Sequence, residues 1–127
     1  MRRADQRREA VVALYQHDST GRPLTDVLTK DASSFTRELV DGVLQHQDEV
    51  DALIARYAEG WTLDRIAPLE RAILRTALYE MLYRTDVPDE VAIDEAVEAA
   101  KELCAAEAPK FVNGILGTVK RTEVTRP

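Results

Sequence analysis

Apolar residues recur along this chain at the three- and four-residue spacing of amphipathic helices, and no segment alternates at the two-residue spacing of a strand. From about Arg3 to Asp18, Ala10, Val11 and Leu14 form one apolar stripe, and Arg3 and Arg7 continue that face toward the amino end. Gly21 and Pro23 break the chain, a short helix fits Leu24 to Leu28, and Ser33 or Ser34 is placed to cap the next long element. Phe35, Leu39, Val43, Leu44, Val50, Leu53, Ile54 and Tyr57 keep a period near 3.6 for about six turns, which predicts one unbroken helix closed by Gly60. Thr62 is placed to cap a single turn. Pro68 opens a helix to about Arg84 with two adjacent apolar rows, Leu69, Ile73, Ala77, Met81 and Leu74, Leu78, Leu82. So wide a face predicts the centre of a bundle, with Arg71 and Arg75 on the remaining side. Pro88 starts a helix with Ile93, Ala96, Val97, Ala100 and Leu103 on its face; Pro109 starts another with Phe111, Val112, Ile115, Leu116 and Val119. Inside that last pattern sits Asn113-Gly114, ordinarily a turn signal, so a local rule is broken within a strong global one. Gly114 and Gly117 are spaced to offer a notch to a neighbouring helix. The pattern predicts an all-α fold of about seven helices, five long and two short. Residues 1–127 form a single domain whose hinge, Gly60 to Pro68, separates helical halves of about 1–60 and 61–127.

Composition narrows the function. Cys104 is the only cysteine, so no intrachain disulfide exists, and its neighbours Leu103, Ala105 and Ala106 suit a structural thiol. His17 and His46 lack companions at metal-ligand spacing, so no metal is expected. A glycine-rich phosphate loop, GxGxxG and GxSxG are all missing, so neither cofactor nor catalytic residues are expected. Asp94, Glu98 and Glu102 form a carboxylate ladder that reads as a solvated helix face; its self-repulsion invites an outside cation, a basic partner protein being one candidate. No apolar run approaches the length needed to span a bilayer, and the basic amino terminus lacks the apolar core of a signal peptide. The expected location is cytoplasmic, with no membrane partner. Net charge is −6 but unevenly spread. Arg2, Arg3, Arg7 and Arg8 face only Asp5 at the amino end, and Lys110, Lys120, Arg121 and Arg126 face only Glu123 at the other. Two basic ends therefore flank an acidic body. They form a local anion-binding patch if they converge, and solvated tails if they do not.

Four stretches, RREAVVALY, WTLDRIAPLERAILRTALYE, DVPDEVAIDEAVEAAK and KFVNGIL, resemble the NusB family over nearly the whole chain. These are bacterial transcription antitermination factors that bind RNA. The resemblance implies a NusB-like helical bundle that pairs with ribosomal protein NusE. The pair binds the boxA element of nascent ribosomal RNA as a single strand, within the RNA polymerase antitermination complex, and no covalent step is involved. On this resemblance the RNA-binding residues are Arg3, Arg7, Arg8, Glu107, Lys110 and Phe111. Arg3 and Arg7 fall on the family's basic positions, and Glu107 on one that is usually aspartate. Phe111 is a core residue by its row with Ile115 and Val119, but by resemblance an aromatic face for an unpaired base. Asp5, Val12 and Ala108 depart from a basic residue, a glutamine and a serine common in the family, and each departure lowers the expected affinity for RNA. The partner-binding set is Tyr15, Tyr57, Glu70, Arg71 and Arg75. Tyr15 and Glu70 match positions that contact NusE; edge-of-core packing and surface charge are the plainer account of all five. Trp61 is expected to anchor the hinge. Two alternatives remain open: a NusB-type domain related to an RNA cytosine methyltransferase, though no cofactor domain follows here, or a purely protein-binding adaptor that forms a homodimer.

Overall fold

The computed structural model describes residues 2–123, so Arg126, counted above in the basic carboxyl end, lies outside the described residues. The chain forms α1 (Arg3–Thr20), α2 (Leu24–Val27), α3 (Ser34–Gln45), α4 (Gln47–Tyr57), a 3-10 turn (Leu63–Arg65), α5 (Pro68–Tyr83), α6 (Asp89–Leu103) and α7 (Ala108–Thr122). No strand occurs among the described residues. The fold is all-α, as the periodicity predicts.

α5 is the central element. It packs against α1, α3, α4, α6 and α7, and every side chain from Ala72 to Met81 is buried. Its two apolar rows face neighbours on both sides, which explains why the sequence shows so broad an apolar face. Pro68 occupies the first turn of α5, where its missing amide hydrogen leaves no bond unmade. Ser33 caps α3 through an N–H to Oγ bond from Thr36 at 3.0 Å.

The long helix expected from Phe35 to Tyr57 is two helices. The chain breaks at His46 (φ −112°, ψ 19°), which ends α3 and begins α4. The physical reason lies in the partners: α3 packs on α1 and α5, whereas α4 packs on α5 and α7. One straight rod does not reach both. The six-residue gap from Leu44 to Val50 is the trace of that break, and the apolar phase survives it. The expected glycine notch on α7 is also absent. A side chain at Gly114 would meet nothing, and Gly117 has only Arg121 of its own helix beside it. The close approach instead occurs at Gly42 of α3, where the Tyr79 ring of α5 occupies the space a β-carbon would fill.

Two charges on α5 are sunk in this core. Glu80 is 1% exposed and receives both Nε (2.8 Å) and Nη2 (2.9 Å) of Arg7, itself 8% exposed. Arg75 donates to both carboxylate oxygens of Asp51 on α4, at 2.7 and 3.0 Å, and lies 3.4 Å from Asp18 of α1. Removing one partner of such a pair leaves a desolvated charge uncompensated, at a cost of about 3–5 kcal/mol. Arg7→Met is therefore expected to lose about 3 kcal/mol in urea unfolding, and Arg7→Met combined with Glu80→Leu to recover much of that loss. A single variant as stable as the parent protein would contradict the pairing.

Candidate nucleic-acid interface

The groups that face outward near the start of α7 form the candidate site. After α6 the chain turns through Ala105 and Ala106, and α7 begins at Ala108 with Pro109 in its first turn. Val112, Ile115, Leu116 and Val119 are buried and hold the helix against α6, α5 and α4. Phe111 sits at the edge of that stripe, half-buried, which reconciles its two readings: its row enters the core while its own ring reaches the surface. Its ring meets Trp61 edge-on, with centroids 6.2 Å apart and planes at 67°. Trp61 is 51% exposed, so it does not anchor the hinge by burial; it forms one wall of a cleft.

That cleft encloses about 330 Å³ between Trp61, Arg65, Ile66, Ala67, Glu70, Glu107, Ala108 and Phe111. The two carboxylates share it. Burial and the charge of Glu107 both push the Glu70 carboxyl above its ordinary range. Among the described residues neither acid has an ion-pair partner. Arg65 and Lys110 are exposed, and neither makes an ion pair among the described residues. Behind the cleft, burial and then the charge of Glu70 push the Cys104 thiol up to about 11, which suits the unreactive role expected of it.

The other predicted residues are arranged differently. Arg7 is not available to RNA, because its guanidinium is enclosed and donates through Nε and Nη2 to the two oxygens of Glu80. Arg8 donates to Glu102 at 2.9 and 3.2 Å and approaches Glu95 at 3.5 Å, which raises its own pKa and lowers that of Glu102. The acidic ladder of α6 thus finds its cation within the chain, with Lys101 beside Glu98 at 3.1 Å. Arg3 stays half exposed, 4.3 Å above the Phe35 ring and 3.5 Å from Asp86. Arg71 and Arg75 are not free to bind a partner. Arg71 donates to Asp18 at 2.8 Å and to the carbonyls of Leu63 and Ile66, while Arg75 is held by Asp51 and Asp18. Burial works to raise the Asp18 pKa, but the two guanidiniums outweigh it and hold it low. Tyr57 donates to Glu123 at 2.5 Å, which ties α4 to the end of α7. Tyr15 is exposed on the outer face of α1.

The basic ends do not build one platform around Phe111. Arg3 reaches Asp86 and Lys120 reaches Glu90, so the amino terminus and the end of α7 share the side of the bundle where α5 joins α6. Phe111 and Lys110 lie at the opposite end. Glu80, which holds Arg7, and Glu70 at the cleft are ten residues apart on α5, about 15 Å along the axis. The aromatic and charged cleft residues that the sequence did not mark as functional are Trp61, expected only as a hinge anchor, and Arg65, which had no assignment. The available signal was a lone tryptophan in a hinge, where no apolar row needed it.

An all-α bundle whose outward chemistry is an aromatic, acid-rimmed cleft defines a helical binding module. Residues 4–121 match the model of the NusB family, and the chain belongs to that family. It is 44% identical over 133 residues to the transcription antitermination protein NusB of Halalkalibacterium halodurans, covering 100% of this chain and 98% of that protein. With the NusB of Symbiobacterium thermophilum the identity is 52% over 96 residues, 76% of this chain and 63% of the relative; the match to the NusB of Frankia casuarinae spans 64% of that protein. Among solved structures, T. maritima NusB superposes with a TM-score of 0.88 at 34% identity, covering 98% of this chain and 94% of that one. A chain in a crystal structure of antitermination factors NusB and NusE in complex with dsRNA gives 0.81 at 26% identity, covering 95% and 98%. No helix among the described residues is long and apolar enough to cross a membrane.

The raised pKa of Glu70 carries a sign that can be tested. Unfolding frees Glu70 from burial and from Glu107, so its charge opposes folding at neutral pH. That penalty fades once acid protonates the carboxyl in both states. Glu70→Gln should raise the urea midpoint at pH 7, by less than about 1 kcal/mol since the group is only partly buried, and the gain should vanish below about pH 4. A variant less stable than the parent at pH 7 would mean that the carboxylate is bonded in the fold.

Proposed function

We propose that this chain is an RNA-binding transcription antitermination factor that acts by assembly. It pairs with NusE, the pair binds a boxA-type element of nascent ribosomal RNA as a single strand, and the complex helps RNA polymerase pass terminators in the cytoplasm. No catalytic step is part of this role. The carrying observation is that Trp61, Phe111, Glu107 and Arg65 line one cleft at the start of α7, with Lys110 exposed beside Phe111 and no ion pair to these charges among the described residues. Membership of the NusB family and the likeness to a chain crystallised with NusE and RNA support the reading. Arg3 and Lys110 take phosphates, while Phe111 and Glu107 face bases. Arg8 joins only by giving up Glu102. Tyr15 and Glu70 hold the protein partner. The whole chain acts as one domain, its halves of about 1–60 and 61–127 joined along α5.

Titration of boxA-type and scrambled RNA at two salt concentrations, with and without NusE, tests this. Two neutralised phosphates on a single strand give a slope of log affinity against log salt near −1.4, from roughly −0.7 per contact. A preference for boxA in the presence of NusE is expected, and equal affinity for the scrambled RNA would refute the reading. Glu70→Lys should impair NusE binding before RNA binding.

A further inference from the structure

We infer that the Trp61 cleft is a subsite for one unpaired guanine nucleotide of the bound RNA. The inference rests on the RNA-binding reading and assigns two residues, Trp61 and Arg65, that reading left without a role. The exposed indole offers a stacking face, and Phe111 stands edge-on as the side wall. Ile66, Ala67 and Ala108 supply a small apolar floor. At about 330 Å³ the cleft lies at the lower end of ligand-pocket sizes, room for one nucleotide and not for a run of them.

The polar rim chooses the base. Glu107 is an exposed, acceptor-only group with no ion-pair partner among the described residues, so both its oxygens are open to donors from a ligand. Guanine presents two adjacent N–H donors, N1–H and the N2 amino group, which match the two oxygens of a carboxylate. Adenine and cytosine each put an acceptor beside their amino group, and uracil carries a single N–H between two carbonyls. Arg65 decides between a base and a cationic side chain of a protein partner. An unpaired guanidinium on the same rim repels a lysine or arginine entering the cleft, but suits the phosphate of the nucleotide whose base is stacked.

Trp61 is the only tryptophan, so its emission reports the cleft directly. The full chain, alone and with NusE, is titrated with oligouridine RNAs carrying a single guanosine, inosine or adenosine. Guanosine RNA should quench Trp61 and bind about tenfold tighter than adenosine RNA, the scale of one bidentate base contact, with inosine between them. Glu107→Gln should abolish the guanosine preference. Arg65→Ala should make the salt slope shallower by roughly 0.7 and leave base preference intact. Equal binding of guanosine and adenosine RNAs, or RNA binding that leaves Trp61 emission unchanged, overturns the guanine subsite while leaving the RNA-binding reading in place. An arginine-containing peptide that alters Trp61 emission where guanosine RNA does not overturns it in favour of a protein-docking cleft. Failure of every RNA to bind, even with NusE present, overturns both.

Discussion

A buried charge has to be answered where it lies, and α5 carries two of them. Glu80 is sealed in the core and Arg75 nearly so, although every other residue of that helix from Ala72 to Met81 except Thr76 belongs to the buried hydrophobic core. Water cannot solvate either group, so each must meet an opposite charge in good geometry. The partners come from elsewhere in the chain. Arg7 of α1 closes on Glu80, Asp51 of α4 on Arg75, and Asp18 of α1 bridges Arg71 and Arg75. α1 is thus tied to α5 near both ends, antiparallel to it. A shift of one turn would separate both sets of ions at once, which apolar contacts alone do not forbid. Packing holds these helices together, and the ion pairs set their register.

The same bonds sort the remaining charges. Once Arg7, Arg8, Arg71 and Arg75 are committed to carboxylates, two of the four arginines at the amino end and both arginines expected at the partner surface are no longer free for a ligand. Arg71 and Glu70 make the point, being adjacent on α5 with opposite fates. Arg71 turns inward to Asp18 and two carbonyls, while Glu70 faces the cleft and pays for that position in a raised proton affinity. Natural proteins keep such locally unfavourable groups where recognition needs them.

Helix periods revealed α1, α5, α6 and α7, proline signals placed the starts of the last three, and a serine placed the start of α3. Those features are local, so a single sequence contains them. The break at His46 escaped because a kink of this kind preserves the apolar phase on both sides; only the different neighbours of α3 and α4 require it. The fate of each arginine escaped for a stronger reason. Arg7 and its carboxylate are 73 residues apart, and a guanidinium aimed at a buried acid looks in sequence like one aimed at solvent. Phe111 and Trp61 show the same limit. Each is an aromatic at the margin of an apolar pattern, and which face is left uncovered depends on how α7 meets the turn before α5.

For the RNA-binding role proposed above, an acid-rimmed cleft is at first sight the wrong electrostatics. With a net charge of −6, most of this surface repels a polyanion, and Glu70 and Glu107 add to that locally. Repulsion of phosphate is compatible with selection of a base, because carboxylates reward N–H donors and penalise everything else. On that proposal the backbone would run between Arg3, held only loosely by Asp86 at one end of the bundle, and Lys110 and Arg65 at the other, which make no ion pair among the described residues. On that proposal such a surface would bind RNA weakly by itself and discriminate well. Coupling to a second RNA-binding protein restores affinity through effective concentration, without adding indiscriminate positive charge to this one. Affinity then resides in the pair, and the acidic cleft retains the part of specificity that a basic surface would lose.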